Sequence, residues 1–104
     1  MDTVLGPHIE ITPGVHGGKP RLAGTRITVD DVVVMHLRLG QSLPEIAGRY
    51  DLEPAAVYAA MAYYYDHRDE IDRSIEADRV YAEAFQRNNS SPLQEKLRAL
   101  RTAA

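Results

Sequence analysis

Eleven residues, Gly17-Gly18-Lys19-Pro20-Arg21-Leu22-Ala23-Gly24-Thr25-Arg26-Ile27, constrain this chain more than any other stretch. They hold three glycines, one proline and three cations, with few apolar side chains to bury. Glycine lets the backbone turn or approach a partner closely, and proline fixes one dihedral. Such a segment adds little to a core, so it is expected to serve a turn, a contact or both. The chain beyond it reads as a compact helical unit.

Upstream, Met1–Pro7 shows no periodicity and is expected to fray. His8-Ile9-Glu10-Ile11-Thr12 alternates polar and apolar, the two-residue period of a half-buried strand, and Pro13-Gly14 ends it. Arg21-Leu22 and Arg26-Ile27-Thr28 could each hold a very short strand, so residues 8–28 read as a glycine-punctuated β-ribbon. A two-stranded ribbon is marginal alone. It should lie on the helices or pair with a second chain.

Thr28 is placed to cap a first helix, with Asp30 and Asp31 suiting the positive end of its dipole. Val29, Val32, Val33, His36 and Leu37 form its apolar stripe, Asp30 and Arg38 face away, and Gly40 ends it as a left-handed cap. Ser42 and Glu45 have capping-box spacing for a short second helix, with Ile46 and Ala47 inward and Arg49 outward. Tyr50-Asp51-Leu52 makes the turn, and Pro54 suits the start of a third helix. In that helix Val57, Ala60, Met61 and Tyr64 share one face. Of Tyr63, Tyr64 and Tyr65, at least one is expected outside.

Asp66-His67-Arg68-Asp69 should break or kink the chain, with Asp66 as a fresh cap. Asp69–Arg87 is again helical, with Ile71, Ile75, Ala82 and Phe85 on one stripe. Asp69 with Arg73, and Glu83 with Arg87, are spaced as i,i+4 ion pairs. Asn88-Asn89-Ser90-Ser91-Pro92 breaks the helix. Beyond it Leu93, Leu97 and Leu100 recur opposite Lys96, Arg98 and Arg101, a short helix that needs a partner. The fold class is therefore mainly α: a short β-ribbon, a three-helix unit over residues 8–66, and a C-terminal helical arm over 67–104.

Composition narrows the function classes. At 104 residues without a cysteine, the chain is one small domain with no disulfide or thiolate metal site. No apolar run approaches a signal core or a membrane span, so a cytoplasmic protein is expected. Residues 1–49 carry five cations and five acids, and residues 50–104 carry seven and ten, which together give the net charge of −3. Any basic surface must come from a few clustered residues.

Ile46, Ala47, Leu52, Val57 and Met61 are spaced as in a helix-turn-helix. In that geometry the start of the third helix enters the major groove. Here it offers Glu53, Pro54, Ala55, Ala56, Tyr58 and Ala59, with no Lys or Arg between Arg49 and Arg68. A scaffold helix and a reading helix both stay open. Phosphate contacts could come from Gln41, Ser42 and Arg49, and from Lys19 and Arg21. Arg26 is better read as a structural ion pair with Asp30, Asp51 or Glu45. The glycines lack the spacing of a nucleotide-binding loop. The scattered His8, His16, His36 and His67 make no metal site, and His36 reads as a hydrogen-bonded core residue. No cofactor is expected. No nucleophile, base and orienting acid stand together, so an enzyme is not expected either.

Gly18-Lys19-Pro20-Arg21-Leu22-Ala23-Gly24-Thr25-Arg26-Ile27-Thr28-Val29 resembles the signature of the bacterial family called domain of unknown function 433. Gly40–Ile46 and Leu52–Val57 resemble its helix-turn-helix, and Tyr64–Ile71 its next helix junction. The resemblance covers about residues 8–75. It departs at Arg21, where an apolar residue is usual, and at Arg68, where proline often stands. It implies a homeodomain-like three-helix unit after a short β-segment, in a dimeric antitoxin whose neighbour is a PIN-like ribonuclease toxin. On that reading the C-terminal segment wraps the toxin, through Phe85, Arg87, Leu93, Leu97, Arg98, Leu100 and Arg101. Lys19, Arg21, Gln41, Ser42, Arg49 and Tyr58 would meet operator DNA and repress the operon. The rival reading is a stand-alone dimeric DNA-binding regulator.

Overall fold

A computed structural model describes residues 3–4 and 6–88. The chain is mainly helical, with a short antiparallel sheet at its start. It divides into two compact units, residues 1–72 and 73–104.

In the first unit, strands β1 (Thr3–Val4), β2 (Ile9–Ile11) and β3 (Arg21–Leu22) pair in the order β1-β2-β3. The register sets Ile9 opposite Leu22 and Glu10 opposite Arg21. Alternation then sends Ile9 and Leu22 into the core and Glu10 and Arg21 to the other face. β2 is where the alternation of His8–Thr12 puts it. Thr3–Val4 does not fray as expected; it pairs with Glu10 and Ile11. Such a two-residue pairing leaves no local pattern to read. The strand expected at Arg26–Thr28 shrinks to one bridge, Arg21 to Thr28.

The bend between them is tight. Gly24 has φ +74°, which glycine adopts without steric cost. Thr25 N and Oγ1 both donate to the Leu22 carbonyl, at 3.0 and 2.9 Å, and Ile27 N donates to Thr25 Oγ1 at 3.1 Å. Gly24-Thr25-Arg26 thus sets the turn that the glycine-rich stretch implied.

Thr28 caps α1 (Val29–Val33) with a complete capping box: Asp31 N donates to Thr28 Oγ1, and Thr28 N to Asp31 Oδ2, each at 3.0 Å. The expected stripe holds through Val29, Val32 and Val33, all buried. It then fails, because the helix continues as a π-helical turn over Val34–Arg38, with Leu39 N bonded to the Val34 carbonyl. A five-residue hydrogen-bond step ends the α-helical phasing on which the stripe depends. Met35 is buried, and Leu37, expected inward, is 49% exposed. Asp30, expected outward, is buried. His36 is half-buried, its Nδ1 2.8 Å from the Gln41 carbonyl oxygen.

α2 (Leu43–Arg49) is capped by Ser42, whose Oγ accepts from Glu45 N at 3.1 Å. Ile46 and Ala47 are buried and Arg49 is exposed, as expected. α3 (Pro54–Asp66) starts on proline and buries Val57, Ala60, Met61 and Tyr64. It packs on α1, α2, β2 and β3, which makes it the central helix of this unit. Tyr65 is the tyrosine left outside, 59% exposed.

The break falls at His67 (φ −129°, ψ 38°), one residue beyond the Asp66 cap expected, because α3 keeps Asp66 in its last turn. α4 (Arg68–Asn88) follows at once, and its Ile71 is buried. Tyr64 Oη donates to Asp72 Oδ1 at 2.8 Å across the junction.

In the second unit α4 runs on to Asn88. Ile75 is buried, whereas Ala82 and Phe85, expected on the same stripe, are exposed. Among the described residues its ion pairs centre on Arg79, which meets Glu76 and Glu83. The spacing of the sequence pairs Glu83 with Arg87 instead. The two cations flank Glu83 at equal distance along the chain, and sequence alone does not choose between them.

Candidate partner-binding surfaces

The cations expected at DNA divide in two. Val29 N donates to the Pro20 carbonyl at 2.9 Å, tying the loop to the start of α1. Lys19 Nζ is thereby held 3.4 Å from Asp30 Oδ2, and the side chains are only 27% and 8% exposed. Asp30 lies in the first helical turn, where the helix dipole also favours its charge.

Arg21 is held more firmly. Its Nη2 is 3.0 Å from Glu10 Oε1, and its Nη1 donates to Thr12 Oγ1 at 2.9 Å. Glu10 Oε1 also accepts from Gly24 N at 3.0 Å, so one carboxylate pins both the cation and the turn. Arg21, the departure from the family pattern, is a cross-strand ion pair.

Arg26, read as structural, is exposed and makes none of the expected ion pairs, because Asp30 is held by Lys19 and the turn leads Arg26 outward. Gln41 and Ser42 are half-buried, the first through its carbonyl contact with His36 and the second as the α2 cap. Arg49 is exposed, its guanidinium carbon 5.5 Å from the centre of the Tyr50 ring. Tyr58 is 54% exposed on α3.

Acid precedes the start of α3, where Asp51 and Glu53 are both exposed. An open cleft of about 300 Å³ is lined by residues that include His8, Ala23, Thr25, Asp51, Leu52 and Glu53. Its two carboxylates disfavour a phosphate there. No group of three His, Cys, Asp or Glu among the described residues is arranged to hold a metal. No helix among them is long and apolar enough to cross a membrane.

At the α3–α4 junction the Tyr63 and His67 rings stack with centroids 4.0 Å apart, and His67 Nδ1 lies 3.0 Å from the Tyr63 carbonyl oxygen. Burial, then the acceptor Asp72, pushes the Tyr64 phenol above its ordinary pKa. Burial, then the charge of Glu70, does the same for Tyr63.

α4 carries the other surface. Phe85 is 54% exposed, as a partner contact requires, and Arg87 is exposed close to it in sequence. Sequence reasoning missed Tyr81 and Val80, 73% and 49% exposed. The signal is present: Ala77, Val80, Tyr81, Ala84 and Phe85 have i, i+3, i+4, i+7, i+8 spacing, the mark of an apolar helix face. The Tyr81 and Phe85 rings lie with centroids 6.3 Å apart and planes 24° off parallel. Leu93, Leu97, Arg98, Leu100 and Arg101 lie outside the described residues.

The model of the family described as Protein of unknown function (DUF433) matches residues 9–64, from β2 almost to the end of α3. A solved structure of a DUF433 member protein from Anabaena variabilis ATCC 29413 is similar, with 37% identity and a TM-score of 0.61. The similarity covers 69% of this chain and 71% of that one. No curated protein matches.

Proposed function

The chain belongs to the DUF433 family, and from that premise we propose that it is the antitoxin of a type II toxin–antitoxin module. It neutralises a PIN-like ribonuclease through its C-terminal helices. The observation that carries this reading is the face of α4, where Val80, Tyr81 and Phe85 stand exposed together. Folded chains in water keep large aromatics exposed together chiefly where a partner covers them. An amphipathic helix with regularly spaced anchors is a common way to occupy a groove. Arg87, Arg98 and Arg101 would meet the acidic, metal-dependent site of such a nuclease.

α2 and α3, joined by the turn at Tyr50–Glu53, act in this reading as a homeodomain-like helix-turn-helix that adds weak operon control. With Lys19 and Arg21 engaged inside the fold, Arg26 and Arg49 are the better phosphate contacts. The cytoplasm is the expected compartment.

Co-expression of the full chain with the product of the neighbouring gene tests the proposal. Co-purification and loss of ribonuclease activity are expected, and Tyr81→Ser with Phe85→Ser should abolish both. A variant pair that still binds and neutralises would sink the α4 assignment. Tight, steeply salt-dependent promoter binding by the chain alone, with no toxin contact, would favour the stand-alone regulator.

A further inference from the structure

The apolar face of α4 has a mirror image further along the chain. Ala77, Tyr81, Ala84 and Asn88 follow one another by four, three and four residues, and so do Leu93, Leu97, Leu100 and Ala104. That is the 3.5-residue repeat of a helix–helix seam. The first row lies on α4, with Ala77 and Tyr81 exposed, Ala84 half-buried and Phe85 exposed beside them. The second lies outside the described residues and stands in the sequence alone. Both rows are equally far from the bond between Ser90 and Ser91. Reversal of the chain there brings Leu97 level with Ala84, Leu100 with Tyr81 and Ala104 with Ala77. Each helix rises about 1.5 Å per residue, so the levels stay matched along the row.

The linking residues suit such a reversal. α4 ends at Asn88. Ser91, Pro92 and Gln94 have the spacing of a capping box with proline at the first helical position. Asn89, Ser90 and Ser91 are then the loop, and antiparallel helices are joined by loops of about two to five residues. A helix as short as the one that follows is marginal alone. From this mirrored register we infer that residues 92–104 lie back along α4 as the second arm of an αα-hairpin, and cover Tyr81 and Ala84 in the free chain.

Charge points the same way. Residues 89–104 carry three cations and one acid, whereas residues 76–88 carry two cations and three acids. In the antiparallel pair Asp78 and Arg101 share one edge of the seam, and Arg87 and Lys96 share the other. The first pair attracts and the second repels, so the arm is held by a contact that a partner can displace. An acidic partner gains by doing so, because it meets Arg87 and Lys96 together. Displacement by the toxin rests on the reading proposed above, whereas the hairpin is a property of the free chain. Its test needs no toxin, so a failure here leaves the α4 reading standing.

Hydrogen exchange on the full chain decides it. The amides of residues 96–101 are expected to exchange at least about tenfold more slowly than in an unfolded chain. Tyr81→Ala, which leaves a strong helix former in α4, should remove most of that protection. Two charge changes on α4, outside the segment measured, should move it in opposite directions. Arg87→Glu should raise the protection and Asp78→Lys lower it, each by about twofold. The natural chain has no cysteine, so Ala84→Cys with Leu97→Cys reports one contact. On oxidation this pair should close within a single chain, and faster than Gln86→Cys with Leu97→Cys, since position 86 is on the opposite side of α4. Exchange at the unfolded rate, protection that survives Tyr81→Ala, charge effects of one sign, or a link that joins two copies overturns the proposal.

Discussion

α3 and the second-unit part of α4 are both helices with exposed aromatic residues, yet they are held in different ways. α3 buries Val57, Ala60, Met61 and Tyr64 against four other elements. Its helical state follows from the core, and its outer face can carry whatever a partner requires. Beyond Ile75, α4 leans on local chemistry, Arg79 with Glu76 and Glu83. Such pairs on a solvated helix face are screened by water and add little. One helix is a consequence of the fold, and the other is a surface offered by it.

The contrast is broken most directly by removing apolar mass from each region. Ile46 is fully buried on α2, so Ile46→Ala should destabilise the chain by roughly 2–5 kcal/mol. Val80→Ala, at an exposed site on α4, should change stability by no more than about 0.5 kcal/mol. Urea unfolding followed by circular dichroism checks both. If Val80→Ala cost as much as Ile46→Ala, the face of α4 would be part of the core and closed to a partner.

The legibility of the sequence follows the same division. Helix boundaries at Thr28, Gly40, Ser42 and Pro54 can be read because caps are made by residues within one turn of each other. The buried face of α3 can be read because one period runs unbroken through it. The π-helical turn at Val34–Arg38 cannot, since nothing in a run of apolar residues announces a change of phase. Ion-pair partners are the least legible part of the site. Lys19 finds Asp30 only because the loop is hydrogen-bonded to the start of α1, which is a tertiary fact. The same fact leaves Arg26 outside, reversing the roles that sequence assigns to these cations. On α4 two apolar rows meet at Phe85: the row read from sequence is buried at Ile71 and Ile75 and exposed at Ala82 and Phe85, while Val80 and Tyr81 stand exposed on the other.

A smaller effect sharpens the role of the glycine-rich stretch. Glu10 holds both Arg21 and Gly24 N, and the side chains of the ion pair are only 13% and 18% exposed. Glu10→Ala should therefore cost roughly 1.5–3 kcal/mol, the range for hydrogen bonds to a charged group. Glu10→Gln keeps an acceptor for Gly24 but discards the charge, and should cost less. Equal losses in the two variants would show that the charge contributes and the turn contact does not. No loss in either would return Arg21 to the set of cations available to DNA.

The smallest effect concerns the junction between the two helices. Tyr64 is buried with its hydroxyl on Asp72, and both burial and that acceptor favour the neutral phenol. Its folded pKa is raised above the ordinary 10.0. In the unfolded chain the phenol ionises first, so this contribution to stability is complete below about pH 10 and declines as pH rises through the folded value. Tyr63 acts in the same direction through burial and Glu70. The urea midpoint should fall as pH rises above about 10, and Tyr64→Phe should flatten that fall while lowering stability slightly at neutral pH. Tyr65→Phe, at an exposed site with no hydrogen bond to lose among the described residues, should leave the profile as it was. If Tyr64→Phe and Tyr65→Phe behaved alike, the hydroxyl on Asp72 would play no part in joining α3 to α4.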